Sequence, residues 1–293
     1  MTFIDFCRAQ GVVIDTYPPI GVWKRFKTLD KPNHRNGAVK FMGDHGFVRN
    51  WATDSTPSVW HEEGANGQAK PIDIAKVQAQ RDRERQYRVQ AVKSARKFWN
   101  MCQPLSMHHK YLADKGLSPV GCAGLRTHDG LLVIPVMYGP ALISIQTITI
   151  EGVKRFWPGA PVKSGSFVLR RERSAITVLC EGLATGLAVF QSVRNASVVV
   201  CFDAGNLLPV TQHLKPTGSV VFMADNDHAT KVKRGFNPGI DKATNAAELI
   251  GAGVAWCEGI EGTDAADFLK EVGEGAARKL ERLILGKAKF VMT

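Results

Sequence analysis

Four acids stand where apolar runs of the sequence end. Glu181 closes AITVLC, Asp203 closes SVVVCF, and Asp225 with Asp227 closes SVVFMA. Carboxylates brought together repel and raise one another's pKa unless a cation neutralises them. Oxygen donors without His or Cys select a hard ion, Mg²⁺ or Mn²⁺. Such an ion binds phosphate oxygens and stabilises charge in phosphoryl transfer. Asp225 and Asp227 sit at i and i+2, which in extended chain points both side chains the same way. The competing account is that strand-end acids cap the helices that follow them. It is the better account for Asp203, whose DAGN run reads as a turn. Glu181, Asp225 and Asp227 are the candidate metal-binding acids.

The hydrophobic pattern predicts how these acids meet. AITVLCEG, SVVVCFDAG, SVVFMADND and GVAWCEG are short, β-branched, nearly continuous apolar runs. Helix-like stretches lie between them: LATGLAVFQSVR, LLPVTQHLK and GIDKATNAAELIGAG, with a last helix over roughly 264–285. Buried parallel strands alternating with helices form an α/β sheet covered on both faces. The loops at the carboxyl ends of its strands line the ligand crevice, so the acids converge.

The rest of the chain divides by pattern. Residues 20–62 carry short aromatic runs broken by Gly, Asn, Asp and Pro, and read as a small β-rich unit within an N-terminal domain 1–70. EEGANGQAKP (62–71) reads as a linker. Residues 72–102 read as a long helix with Tyr87, Ala91, Ala95, Phe98 and Cys102 on one stripe. Its RDRERQYR (81–88) is a solvated face laced with i,i+4 pairs, nucleic-acid contact being the alternative. KYLADKGLSP (110–119) is a short helix closed by Gly116 and Pro119. LLVIPVM (131–137), ALISIQTITI (141–150) and VKRFWPG (153–159) form a hairpin-rich β segment. The expected partition is 1–70, a helical linker 71–115, a basic β-hairpin subdomain 116–173, and the α/β domain 174–293.

A strand-terminal Glu-Gly with a small-residue helix (EGLATGLAV), a following strand ending in DxD (MADND), and a trailing DAADFLKEVG resemble the Toprim domain. That domain is shared by bacterial-type primases, topoisomerases, small nucleases and recombination mediators. The resemblance implies a Toprim-type parallel sheet with flanking helices. It also implies that Glu181 is the catalytic acid–base and that Asp225 and Asp227 hold Mg²⁺. Asp264 and Asp267 become possible secondary acids, although as bare sequence they are equally an N-cap and a first-turn acid.

Lysine and arginine outnumber the acids by 38 to 27, a balance of +11 that favours a polyanionic partner. Lys154, Arg155, Lys163, Arg170 and Arg171 surround a hairpin that also holds Phe156 and Trp157. Cations meet phosphates and flat rings stack on unpaired bases, which suits a single strand; the bland alternative packs both rings into a core. Lys231, Lys233 and Arg234 in HATKVKRGFNPG either meet a triphosphate or template backbone, or lie on a solvated loop. The hairpin, KYLADKGL and LLVIPV are similar to the segment before the Toprim domain of plasmid and phage primases. NGAVKFMGDHGFVRNWATDSTPSVW resembles the zinc-free front domain of mobile-element primases.

These likenesses imply an enzyme that makes short RNA primers from ribonucleoside triphosphates on single-stranded DNA, for plasmid or phage replication. A metal-dependent Toprim nuclease and a non-catalytic single-strand-binding mediator are the alternatives. The 293 residues contain no GxxxxGK[ST], so the helicase is expected to be separately encoded. The six cysteines are scattered singly, which argues for a reduced compartment and against zinc or disulfides. No run of 18 apolar residues exists and MTFIDFCRAQ lacks a signal-like core, so the expectation is the bacterial cytoplasm, with no membrane.

Overall fold

A computed structural model describes residues 1–51, 53–54, 56–62, 74–105, 108–118 and 124–292. Most of the expected linker, Pro119 and Cys122 lie outside the described residues. The chain forms two compact units, Met1–Gln86 and Tyr87–Thr293.

The first unit holds α1 (Phe3–Ala9), β1 (Lys24–Phe26), β2 (Gly37–Phe41), β3 (His45–Asn50), β4 (Ser58–His61) and the start of α2 (Ile74–Met101). The strands pair in sequence order as an antiparallel meander. Thr2 caps α1 through its hydroxyl, and Phe3 and Cys7 enter a core with Val12, Val39, Val48 and Trp60. Alternation along the strands therefore gives the sheet one buried face and one open face. The charged run of α2 is solvated, with Glu84 paired to Lys40 at 3.7 Å.

In the second unit, β5 (Gln103–Pro104), α3 (Lys110–Asp114), β6 (Arg126–His128), β7 (Leu131–Tyr138), β8 (Ala141–Ile148) and β9 (Lys154–Phe156) come first. The five strands form an antiparallel sheet in sequence order. Ala95 and Cys102 of the expected α2 stripe pack on Val133 and Ile145 of that sheet, while Tyr87 stays 62% exposed over Gly159.

The remaining elements are β10 (Phe167–Leu169), β11 (Ile176–Cys180), α4 (Leu183–Ser192), β12 (Ala196–Val200), α5 (Ala204–Leu214), β13 (Gly218–Ala224), α6 (His228–Arg234) and α7 (Pro238–Glu248). They end with β14 (Gly253–Trp256), α8 (Ala265–Val272), α9 (Ala276–Lys287) and β15 (Lys289–Val291). The sheet order is β10-β12-β11-β13-β14, with β15 also on β13; β11 to β14 run parallel, and β10 and β15 antiparallel. This is the expected α/β class.

Alternation sorts each strand between two cores. Val178, Cys180, Val221 and Met223 pack with Leu183, Leu187, Leu280 and Ile284 of α4 and α9. Leu179, Val220 and Phe222 pack with Leu207, Val210, Ala243 and Ala246 of α5 and α7. Two expectations change. The last helix is broken between α8 and α9, because Gly273 and Gly275 both take positive φ. The HATKVKR loop is the helix α6.

Candidate active site

The central strand β11 places Glu181. Its last residue, Cys180, pairs with Val200 on one side and Met223 on the other, so Glu181 stands level with the ends of both neighbours. Asp203 follows β12 and occupies the N-cap position of α5; Asp225 and Asp227 follow β13. The parallel topology thus brings the acids to one end of the sheet.

The DxD segment is held by its middle residue. Asn226 accepts from Asn237 Nδ2 at 2.9 Å, and its own Nδ2 donates to the Cys257 carbonyl at 2.9 Å. Its backbone N–H bonds Thr263 O at 2.7 Å. The end of β13 is therefore tied to α7 and to the exit of β14. Asp225 Oδ1 accepts from the Thr185 hydroxyl at 2.7 Å, in the first turn of α4. Asp227 Oδ2 accepts from the Gly239 N–H at 3.2 Å. A β-carbon on Gly239 would lie 2.2 Å from the Asp225 carbonyl oxygen, so only glycine fits there.

The electrostatics are those of crowded acids. Burial, and then Asp225, Asp227 and Asp203, push the Glu181 carboxyl from 4.5 up to about 7. Burial is also the first cause that raises Asp225, from 3.8 to about 6, with the Thr185 hydroxyl opposing it. The Lys154 ammonium lowers both. It reaches over from β9, its Nζ 3.7 Å from where a β-carbon on Gly182 would stand.

Among the described residues, no three His, Cys, Asp or Glu side chains form a ready-made cage for a metal. Mg²⁺-like ions do not need one, being held by one or two carboxylates with waters and substrate phosphates. An all-oxygen pair of half-buried aspartates beside a glutamate whose proton affinity is raised fits a divalent cation of that kind.

The structure separates the other candidates. Asp264 is the N-cap of α8, accepting from the Asp267 N–H at 2.8 Å, which is the bare-sequence account of the pair. Both are bound to Lys115, at 3.3 Å and 2.6 Å. Burial works against the charge on Lys115, yet the two carboxylates outweigh it and raise its pKa; Asp267 is lowered in return. Strand alternation sends Arg155 to the opposite face from Lys154. Lys163 is exposed beside Ser164, whose N–H bonds Asn206 of α5, at the carboxyl end of the sheet. Arg170 and Arg171 lie at the other end, because β10 runs antiparallel to β12. Arg171 moreover stacks on Phe190, 4.0 Å from the ring centroid, and donates to its carbonyl. Lys231 and Lys233 are exposed on α6; Arg234 ends that helix, and its side chain lies outside the described residues.

Phe156 and Trp157 follow the bland alternative. Phe156 meets Phe202 edge-on at 5.9 Å, and Trp157 packs on Phe98 at 4.9 Å and donates to Ser94. Lys115 and Thr185 were missed by sequence reasoning, although both lie inside quoted motifs, KYLADKGL and EGLATGLAV. The described cysteines are free and buried, and no described helix is long and apolar enough to cross a membrane.

Residues 176–275, which hold the parallel sheet whose central strand ends in Glu-Gly and whose neighbour ends in DxD, match the family model described as a Toprim domain. The chain is also 29% identical over 244 residues to the DNA primase TraC of Escherichia coli, a likeness covering 76% of this chain and 22% of that protein. The chain thus spans about a fifth of the length of that relative. The resemblance to Toprim primases read from the motifs is borne out by these two findings. Among solved structures, the primase fragment of the bacteriophage T7 primase-helicase protein aligns with a TM-score of 0.43 at 15% identity, covering 59% of this chain and 73% of that one. The DnaG primase catalytic domain bound to single-stranded DNA aligns at 0.41 and 14%, covering 69% and 82%.

Proposed function

We propose that this chain is a DNA primase that makes short RNA primers on single-stranded DNA from ribonucleoside triphosphates, serving a plasmid or phage. The observation that carries the reading is the convergence of Glu181, Asp225 and Asp227 in a chain similar over 244 residues to a DNA primase. Glu181, with a pKa of about 7, can accept a proton from an attacking 3′-hydroxyl near neutral pH. Asp225 and Asp227 hold Mg²⁺ or Mn²⁺, which when bound offsets charge on the phosphates of the incoming nucleotide. Thr185 and Gly239 orient these two carboxylates. Lys154 brings a cation to the same rim, where it meets nucleotide or template phosphate.

Residues 1–70 serve as a zinc-free front domain, 71–115 as a helical linker, 116–173 as a template-guiding subdomain and 174–293 as the catalytic Toprim domain. The partner helicase is a separate protein, and the enzyme works in the bacterial cytoplasm. Lys163 and the α6 cations Lys231 and Lys233 would meet nucleic acid or nucleotide, while Arg155 serves template on the opposite face of β9. Arg170 and Arg171 lie too far round the sheet to share that path. The test is incorporation of labelled ribonucleotides on unprimed single-stranded DNA, with Mg²⁺ and then Mn²⁺. Short products from the wild type, absent with Asp225→Asn/Asp227→Asn, are expected. Metal-dependent shortening of the DNA without new products would make the chain a nuclease instead.

A further inference from the structure

The open face of the first unit's sheet carries an aromatic and cationic surface that the active site does not use. The register aligns Arg25, Ala38 and Arg49 as one row across β1, β2 and β3. Trp23 flanks the row on one side, 6.2 Å from the Phe47 ring, and Trp51 on the other. Both indoles are 48% exposed. The Arg49 guanidinium lies 3.7 Å from the Trp51 ring centroid and the Arg25 guanidinium 4.9 Å. Ala38, the one small side chain in the row, floors a cavity of about 300 Å³ lined by Trp23, Lys24, Arg25, Arg49, Trp51 and Pro57.

The core of this unit does not need these residues, since Phe3, Val39, Val48 and Trp60 on the other face supply it. Among the described residues, no carboxylate lines the hollow and no ion pair claims Arg25 or Arg49. A ligand that satisfies it needs a flat ring to stack on indole or guanidinium and an anion to meet the two guanidinium groups of the row. A nucleobase with its phosphate has both. A duplex keeps its bases stacked on one another and cannot offer the ring.

We propose that the open face of β1–β3 is a single-strand DNA platform, in which Trp23 and Trp51 receive an unpaired base over Ala38 while Arg25 and Arg49 hold its phosphates. The choice of DNA rests on the function proposed above; the platform itself is independent of Glu181, Asp225 and Asp227.

The test is binding of a fluorescein-labelled oligo(dT) to the full chain in EDTA without nucleotides, so that catalysis plays no part. Trp23→Ala/Trp51→Ala is expected to weaken binding by about tenfold or more, while Trp51→Phe, which keeps a ring, retains most of it. Oligonucleotides carrying 5-iododeoxyuridine are expected to crosslink to peptides containing Trp23 or Trp51. Wild-type affinity in the folded double variant, or crosslinks confined to residues 87–293, overturns the proposal. So does equal competition by duplex. If the wild type makes no primers yet shows Trp-dependent binding, the function proposed above falls and the platform stands. Primer synthesis with Trp-independent binding is the reverse result.

Discussion

Glu181→Gln tests the electrostatics of the site in the absence of metal. The carboxyl is held at about 7 in the folded chain against 4.5 ordinarily, so between these values the native state binds a proton that the unfolded chain has released. Stability therefore falls as pH rises from about 4.5 to about 7, and the loss is complete above that. The displacement corresponds to about 3 kcal/mol at pH 8 and under about 1 kcal/mol at pH 5. Glutamine keeps the shape and removes the charge. In EDTA at pH 8 the variant should be more stable by up to about 3 kcal/mol, or roughly 6 °C or more in the melting of this unit. At pH 5 the two proteins should nearly coincide. A residual pH slope should persist, because Asp225 is also raised, to about 6. Saturating Mg²⁺ should stabilise the wild type more than the variant. Equal differences at both pH values, or a variant less stable at pH 8, would refute the picture of crowded, uncompensated carboxylates.

Four further substitutions separate roles in and around the site. Gly239→Ala drives a β-carbon into the Asp225 carbonyl oxygen, so circular-dichroism melts should show a loss of about 2 kcal/mol or more, together with lost Mg²⁺ stabilisation. Lys115→Met leaves Asp264 and Asp267 half-buried without their cation; denaturant titration should show about 1–3 kcal/mol lost at pH 7, and less once acid strong enough to protonate Asp267, which Lys115 holds below the usual carboxylate range, removes the pairing. Lys154→Ala should weaken single-strand binding, flatten its salt slope and raise the apparent pKa of primer synthesis, because the ammonium lowers Glu181 and Asp225. Arg155→Ala, on the opposite face of β9, should leave that pKa where it was.

Much of this arrangement is legible in the sequence because parallel strands buried on both faces leave long β-branched runs. Val178–Cys180 and Val220–Met223 feed two cores at once, so their ends, and the acids there, stand out. What is hidden depends on chain direction and on long-range partners. Arg170 and Arg171 look like part of the basic hairpin until the antiparallel run of β10 carries them to the far end of the sheet. Lys115 reveals itself only when α8 folds against it, since Asp264 and Asp267 lie far along the chain. Phe156 and Trp157 are equally suited to stacking or to packing, and only the positions of Phe202 and Phe98 decide. The break at Gly273 interrupts an otherwise continuous amphipathic pattern that composition alone reads through.

The proposed chemistry requires Asp225 and Asp227, beside Glu181, to hold a divalent cation. Titration of the full chain with Mn²⁺, followed by the loss of the free-ion electron paramagnetic resonance signal, measures this without nucleotide or template. Saturable binding is expected in the wild type, competed by Mg²⁺ and abolished in Asp225→Asn/Asp227→Asn. Undiminished Mn²⁺ binding by the folded double variant would contradict it.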